Sequence, residues 1–161
     1  MSRLQLALNV PDLDAAIDFY SKLFDTAPAK VRDGYANFAI ANPPLKLVLF
    51  EGGEPGTINH LGVEVESTDL VVAATERFQE LGMPTEIEEQ TTCCFAVQDK
   101  VWVNGPDATR WEVYTVLADA ATMFDQGAEC CAPAPASTDC CAPSVAEPIV
   151  LGTKPATGAC C

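Results

Sequence analysis

The cysteines of this 161-residue sequence lie in adjacent pairs, and an adjacent pair presents two soft thiolates to one ion. One pair, Cys93 and Cys94, stands inside TTCCFAVQDK, a stretch that otherwise has the character of a strand. A secreted disulfide scaffold spreads its cysteines so that bridges join distant segments, and these are not spread in that way. Cys93 and Cys94 can also be read as small buried apolar residues, but the repetition of the pair favours ion binding. The other six are predicted to be accessory thiols: Cys130, Cys131, Cys140, Cys141, Cys160 and Cys161.

A second candidate site involves the single histidine, His60, and a glutamate, Glu112, that stands in an apolar strand. Imidazole binds Fe, Zn, Ni and Cu alike, although a histidine at the start of a strand is also an ordinary structural residue. Glu112 lies between Trp111 and Val113, where its charge would be buried unless a cation or a hydrogen-bond partner meets it. A solvated, outward position for Glu112 stays open, because alternation alone does not choose the face.

The elements that would position these residues occur twice in the same order. In the first half, apolar residues from Leu13 to Phe24 recur at three- and four-residue spacing, which predicts a helix, and Asp12 is placed to cap it. Alternation and the turn signals RDG and NPP predict the strands around it. The predicted strand, helix and three strands are at residues 4–10, 12–24, 27–31, 35–41 and 45–51.

The second half repeats this order, and its helix should end at Gly82, with Pro84 preventing continuation. Two βαβββ units predict an α+β fold of two tandem modules, at about residues 1–54 and 57–118, whose half-sheets bury their apolar faces against each other in one cupped mixed sheet. The predicted elements of the second half are at residues 60–66, 68–82, 84–90, 94–103 and 109–117.

With this repeat, the sequence resembles the vicinal oxygen chelate superfamily, which includes glyoxalases and extradiol dioxygenases, over residues 1–118. The resemblance implies a metal at the centre of the cupped sheet, bound by inward-facing residues of the first and last strands of each module. It places Gln5, His60 and Glu112 at metal-binding, catalytic positions and Lys46 at the fourth. In the repeat, Gln5 corresponds to His60 and Lys46 corresponds to Glu112. The set resembles a non-haem Fe(II) facial triad in which glutamine replaces one histidine. Lys46 cannot ligate while protonated, so open coordination positions would remain.

A closer resemblance is to the ArsI and CadI group of that superfamily, carried by LQLALNV, GYANFAIA, PPLKLVLFE, NHLGVEVE, TTCCFAVQDKVWV and WEVYTVLAD. ArsI proteins are carbon–arsenic lyases, so the resemblance implies an enzyme that uses Fe(II) and dioxygen to remove the organic group from trivalent organoarsenicals. CadI proteins are cadmium-induced relatives, and the alternative is a non-catalytic protein that binds cadmium or arsenic through thiols. A third reading, glyoxalase or extradiol activity on carbon substrates, leaves Cys93 and Cys94 unexplained.

The two thiols of Cys93 and Cys94 match the two ligand positions that a trivalent organoarsenical leaves open. A methylarsenic(III) species carries one carbon and has two positions left for thiolates, whereas zinc or cadmium prefers four ligands and inorganic arsenite three. A regular strand points successive side chains to opposite faces, so the pair can share an ion only if the chain turns or bulges there. We therefore expect Cys93 and Cys94 to bind the substrate with its carbon facing the metal.

Composition changes near residue 119, after which Ala, Pro, Gly, Ser and Thr dominate without periodicity, and this predicts disorder for residues 119–161. The three cysteine pairs of this tail favour soft-ion binding, with a featureless solvated tail as the alternative. The net charge of −14 opposes binding to nucleic acids and anionic membranes. Neither a leader pattern nor a membrane-length apolar run is present, so we expect a cytoplasmic monomer or homodimer.

Overall fold

The computed structural model describes residues 2–124 of the chain. The disorder predicted for most of the tail, and the roles predicted for its three cysteine pairs, lie outside the described residues. Within residues 2–124, no helix is long and apolar enough to cross a membrane.

The described residues form two βαβββ modules in tandem, which confirms the α+β fold predicted from the sequence. The first module contains β1 (Arg3–Val10), α1 (Leu13–Phe24), β2 (Lys30–Arg32), β3 (Tyr35–Ile40) and β4 (Leu45–Glu51). The second contains β5 (Ile58–Glu64), α2 (Thr68–Glu80), β6 (Thr85–Cys93), β7 (Ala96–Asn104) and β8 (Arg110–Asp119).

The helix boundaries follow the predicted caps. The side chain of Asp12 accepts a hydrogen bond of 2.8 Å from the Ala15 amide, which satisfies one of the unpaired donors of the first turn of α1. At the other end of the second helix, Gly82 has a φ of +69°, the left-handed conformation in which a glycine ends a helix without strain.

All eight strands of the described chain belong to one mixed sheet, in the order β2-β3-β4-β1-β5-β8-β7-β6. The first strands of the two modules, β1 and β5, pair antiparallel at its centre, with Leu6 opposite Leu61. The last strand of each module pairs in parallel with its first, β4 with β1 and β8 with β5. The strands that carry Gln5, His60 and Glu112 are therefore neighbours in the middle of the sheet.

Both helices cover one face of the sheet and leave the opposite face for a site. In β4, Leu47 and Leu49 pack in the cluster that includes α1, whereas the alternate residues Val48 and Phe50 pack on the other face. The sheet curls toward this second face, because Tyr35 of β3 reaches Phe95, which follows β6, with 5.4 Å between ring centroids although these strands lie near opposite ends of the sheet. We call this concave face the cup.

The hairpin that carries the cysteine pair differs from its prediction. The sequence predicted strands at 84–90 and 94–103, but β6 continues to Cys93 and β7 begins at Ala96. Residues 91–93, which lay between the two predicted strands, continue the β6–β7 ladder after a register shift between Glu88 and Thr91. The turn of the hairpin consequently contains Cys94 itself.

Candidate active site

The structure brings Gln5, His60 and Glu112 together in the cup. Gln5 Nε2 donates a hydrogen bond of 2.7 Å to Glu112 Oε1 and one of 3.0 Å to His60 Nε2. The distance between His60 Nε2 and Glu112 Oε1 is 3.3 Å. All three side chains are buried, with exposed fractions of 3% to 5%. Three polar groups from three neighbouring strands therefore converge on one point.

Gly62 of β5 makes this convergence sterically possible. It pairs with Gln5 on one side and with Glu112 on the other. A Cβ at position 62 would lie 3.0 Å from Glu112 Cγ and 3.3 Å from Gln5 Cβ. This role was not predicted from the sequence, although a glycine inside a strand stretch such as NHLGVEVE is a usual sign of a close approach.

Strand register shows how the two modules correspond. Lys46 is paired with Gln5, and Glu112 is paired with Gly62. If Lys46 and Glu112 are equivalent, as the repeat predicted, the equivalent of Gln5 is Gly62 and not His60. His60 precedes Gly62 by two residues, so it still projects from the same face of β5.

A chain of amides and hydroxyls fixes the orientation of His60. Asn59 Nδ2 donates to Asn9 Oδ1 at 3.0 Å, and Asn9 Nδ2 donates to Thr57 Oγ1 at 2.9 Å. Asn59 Oδ1 is therefore turned toward His60 Nδ1, 2.8 Å away, and accepts a hydrogen bond from the N–H group at that position. This leaves the lone pair of His60 on Nε2, the atom that faces Gln5 and Glu112, and such outer partners commonly orient metal-binding histidines.

Lys100 holds Glu112 in its ionised form. The Lys100 ammonium, only 1% exposed, lies 3.0 Å from Glu112 Oε2. Burial alone would raise the pKa of Glu112, but the charge of Lys100 and the contact with His60 lower that pKa to about 2. Since Lys100 occupies Oε2, Glu112 presents Oε1 to the other two side chains. Lys100 was not predicted as a site residue, and its signal in the sequence was a lysine inside the strand stretch QDKVWV.

Lys46, the residue at the fourth symmetric position, does not face the point of convergence. Its ammonium lies 3.1 Å from Glu64 Oε2 and 4.8 Å from the centre of the Tyr114 ring. Burial would raise the pKa of Glu64, but Lys46, Tyr114 and Arg3 together lower it. Burial, followed by the charges of Glu112 and Glu64, raises the pKa of Tyr114 well above its usual value. The Tyr114 hydroxyl therefore keeps its proton.

The donor set fits a divalent metal. The end of the Gln5 side chain, which is Nε2 in the orientation shown, lies 2.7 Å from Glu112 Oε1 and 3.0 Å from His60 Nε2, and those two atoms are 3.3 Å apart. These separations are close to the roughly 3.0 Å between donors at right angles on an ion about 2.1 Å away. In residues 2–124, no group of three His, Cys, Asp or Glu side chains could hold a metal, so a metal here would need Gln5 as its third donor. Imidazole, carboxylate and amide oxygen suit Fe(II), and three protein donors leave coordination positions open.

The thiol pair lies at the end of the β6–β7 hairpin. Cys94 and Phe95 both have positive φ, +56° and +60°, as in the two-residue turns that connect tightly paired strands. The turn lets two successive side chains approach, and Cys93 Sγ and Cys94 Sγ are 3.2 Å apart. A disulfide would need about 2.05 Å, so the two sulfurs remain separate atoms that one ion can bridge.

Cys93 lies inside the cup, on the same side of the sheet as the donor set. It is fully buried, and the Phe50 ring in the same cluster lies 6.1 Å from the His60 ring between centroids. Burial raises the pKa of Glu112, Lys100 and His60 lower it, and a negative charge on Cys93 would raise it. Cys93 and Glu112 are therefore within electrostatic range of each other.

The chain after β8 closes over the thiol turn. The Ala120 amide donates to the Phe95 carbonyl at 3.0 Å, and the Cys94 amide donates to the Met123 carbonyl at 2.7 Å. Phe124 forms an isolated β-bridge with Cys93, and Met123 and Phe124 pack against the cluster that contains it. The sequence predicted a domain boundary at 118, and residues beyond it, up to Phe124, pack against the domain. Their Ala-rich composition concealed backbone contacts that do not depend on side-chain type.

Comparisons with known proteins identify the family. The Glyoxalase/Bleomycin resistance protein/Dioxygenase superfamily matches residues 3–113. Cadmium-induced protein CadI of Mycobacterium tuberculosis is 66% identical over 124 residues, which are 76% of this chain and 82% of that protein. A trivalent organoarsenical cleaving enzyme of Thermomonospora curvata is 61% identical over 136 residues, 83% and 90% of the two chains. These relatives confirm the resemblance to the ArsI and CadI group.

Among solved structures, a substrate complex of homoprotocatechuate 2,3-dioxygenase from Brevibacterium fuscum has a TM-score of 0.56 at 19% identity, over 75% of this chain and 38% of that one. At this level of identity the likeness shows the fold alone. The family match over residues 3–113, more than half of the sequence, establishes that this chain belongs to the Glyoxalase/Bleomycin resistance protein/Dioxygenase superfamily.

Proposed function

We propose that this protein is an Fe(II)- and dioxygen-dependent carbon–arsenic lyase that converts trivalent organoarsenicals to arsenite. The observation that carries the proposal is one cup containing two thiols 3.2 Å apart and a Gln–His–Glu donor set. The relative named trivalent organoarsenical cleaving enzyme, 61% identical, supports the substrate class. The proposal includes a cytoplasmic location, because a reducing compartment keeps paired thiols reduced.

Capture of the substrate is assigned to Cys93 and Cys94. With methylarsenite, CH3As(OH)2, two As–S bonds form, two As–O bonds break, and the two thiol protons leave with the hydroxides as water. At a bond length of about 2.3 Å, as for a thiolate on zinc, sulfurs 3.2 Å apart subtend about 90° at the bound atom. That angle suits pyramidal trivalent arsenic and is smaller than a tetrahedral ion prefers.

The protein residues around the donor set position the metal and keep water away. Bound Fe(II) would supply dioxygen activation and thus the oxidising chemistry. Asn59 keeps the His60 lone pair on Nε2, and Lys100 restricts Glu112 to one free oxygen. The rings of Phe50 and Trp102 flank His60, with centroids at 6.1 and 5.3 Å, and form an apolar wall against solvent.

The overall reaction balances as CH3As(OH)2 + O2 → As(OH)3 + CH2O. Arsenic remains trivalent, and four electrons pass from the methyl carbon to dioxygen. The protein provides the geometry in which the arsenic-bound carbon faces the metal, and such positioning is a large part of catalysis in reactions of this type.

The test is to incubate the Fe(II)-loaded full-length protein with methylarsenite in air and under strict anaerobiosis, and to separate the arsenic species afterwards. Arsenite should appear only in air. His60→Ala provides the matched control, because it retains the thiols and loses a metal donor. Complete recovery of methylarsenite in air from metal-loaded protein would reject the lyase assignment.

A second candidate function is sequestration of cadmium or arsenic without turnover. The observation that favours it is the 66% identity to proteins named for induction by cadmium, together with the paired thiols. Under this function, soft-ion binding needs only the thiols, so His60→Ala should leave both cadmium affinity and arsenic resistance of expressing cells unchanged. If that variant loses arsenic resistance but keeps its cadmium affinity, resistance requires the donor set, and the lyase function is favoured over sequestration.

A further inference from the structure

The Gln5 amide in this structure has its nitrogen end where a metal ligand should be. Gln5 Nε2 points to His60 Nε2 and Glu112 Oε1, at 3.0 and 2.7 Å, and Gln5 Oε1 points to the Tyr114 hydroxyl, 2.5 Å away. An amide nitrogen has no lone pair to offer a cation. For Gln5 to become the third donor, the amide must therefore turn over by half a rotation.

Tyr114 is the group whose hydrogen bonds decide between the two orientations. Its hydroxyl lies 2.5 Å from Gln5 Oε1 and 2.8 Å from Glu64 Oε2, and both of these oxygens are acceptors. A hydroxyl carries one proton, so it can fully satisfy only one of them. In the orientation shown, Gln5 Oε1 and Glu64 Oε2 therefore compete for that one proton.

Turning the amide over removes this conflict. Gln5 Nε2 then donates one of its hydrogens to the Tyr114 oxygen, and the Tyr114 hydroxyl donates its proton to Glu64. Gln5 Oε1 then faces the gap between His60 and Glu112, where a bound cation has to replace the hydrogen bonds that Nε2 makes to these two side chains in the orientation shown. The two ends of an amide are similar in size, and its orientation follows from the hydrogen-bond network around it.

Glu64 is held as a fixed acceptor for this arrangement. Arg3 Nη2 donates to both of its carboxylate oxygens, at 3.0 and 3.2 Å, and the Lys46 ammonium lies 3.1 Å from Oε2. Two cations hold the charge of Glu64 in place beside Tyr114, which is 1% exposed. Lys46, which occupies the fourth position of the repeat and cannot bind a metal, thereby helps to hold Glu64 in place.

We propose that Tyr114 and Glu64 are positioning residues that turn the carbonyl oxygen of Gln5 toward the metal. This inference rests on the proposed metal site, but it concerns only the orientation of one side chain. It assigns a function to the group of Lys46, Glu64 and Tyr114, which contacts the donor set through Gln5. Loss of an outer partner of this kind commonly lowers metal affinity by about 10- to 100-fold.

The experiment is anaerobic titration of the metal-free full-length protein with Fe(II), and with Co(II), whose absorption spectrum reports its ligands. Tyr114→Phe and Glu64→Gln should each lower affinity by about 10- to 100-fold and change the Co(II) spectrum. Tyr35→Phe is the matched control, because Tyr35 is also 1% exposed in the cup and its hydroxyl accepts from Asn37 instead. Its affinity should equal that of the parent protein.

A double-mutant cycle with Gln5→Glu distinguishes positioning from general support of the fold. A carboxylate has no nitrogen end and needs no orienting partner, so Tyr114→Phe in that background should change affinity by less than about twofold. An equal loss in both backgrounds, or no loss in the Gln5 background, would overturn the inference. Failure of the parent protein to bind either metal would instead reject the proposed metal site. If Tyr114→Phe does not fold, Glu64→Gln replaces it in the same double-mutant cycle.

Discussion

Gly62→Ala tests whether the missing side chain at position 62 keeps the donor set together. The added methyl group would lie 3.0 Å from Glu112 Cγ and 3.3 Å from Gln5 Cβ, so both side chains must move by a few tenths of an ångström. Overpacking of this kind costs about 1–3 kcal/mol of unfolding free energy. We expect Fe(II) affinity to fall in addition by about 10- to 100-fold, the size of effect that disturbed ligand positioning usually has.

The measurement combines urea denaturation of the metal-free protein with anaerobic Fe(II) titration. Gly34→Ala is the matched control, since a Cβ there meets nothing within 4 Å but the backbone has a φ of +65°. That left-handed conformation should cost the variant roughly 1–2 kcal/mol of stability and leave Fe(II) affinity unchanged. If Gly62→Ala binds Fe(II) as tightly as the parent, the role given to this glycine is wrong.

Three further predictions concern the thiols, the tail and the metal. Cys93→Ser and Cys94→Ser should each weaken methylarsenite binding by at least about 100-fold in isothermal titration, because the two-thiol chelate is lost. The Fe(II) content should not change. A serine variant that cleaves methylarsenite like the parent protein would show that the pair serves only core packing. Truncation after Phe124 should preserve turnover at saturating substrate. Truncation after Ala118 removes the Met123 carbonyl that accepts a hydrogen bond from the Cys94 amide, so it should raise KM. Equal KM values of the two truncated proteins in steady-state assays would contradict this. His60→Ala should abolish turnover and lower Fe(II) affinity in titrations while cadmium still binds the thiols, and retained turnover would reject the donor set.

Much of the fold was predictable because its signals are local. The periodicity from Leu13 to Phe24 and the capping residue Asp12 determine α1 within one residue. The repeat of that order in the second half predicts two half-sheets that bury their apolar faces, and the structure joins these half-sheets through β1 and β5. Gln5, His60 and Glu112 became candidates through the same repeat, and the structure places their polar atoms within 3.3 Å of each other.

The partners of the donor set were not predictable, because they depend on contacts between strands far apart in sequence. Lys100 meets Glu112 only after β7 pairs with β8, and nothing in QDKVWV shows which face the lysine takes. Gly62 matters only because its two neighbouring strands carry Gln5 and Glu112 at the same register. The sequence shows alternation along each strand, but it does not show register across strands.

The thiol turn was partly predictable. For Cys93 and Cys94 to share one arsenic atom, the chain had to turn or bulge there, because a regular strand points them to opposite faces. However, cysteine is not a usual residue at a turn position with positive φ. Turn positions with positive φ are normally recognised by Gly, Asn or Asp, and Cys94 and Phe95 carry no such signal. The backbone contacts from residues 120–124 help to hold this turn, and the sequence does not reveal them.

The central claim is that one substrate is captured by the thiols and oxidised at the neighbouring donor set. The most direct measurement is the ratio of dioxygen consumed to arsenite released by the Fe(II)-loaded full-length protein during a limited supply of methylarsenite. The account predicts one dioxygen per arsenite in the parent protein, and neither dioxygen uptake nor arsenite release in Cys94→Ser. Arsenite release without dioxygen uptake, or release at the parent rate from Cys94→Ser, would contradict it.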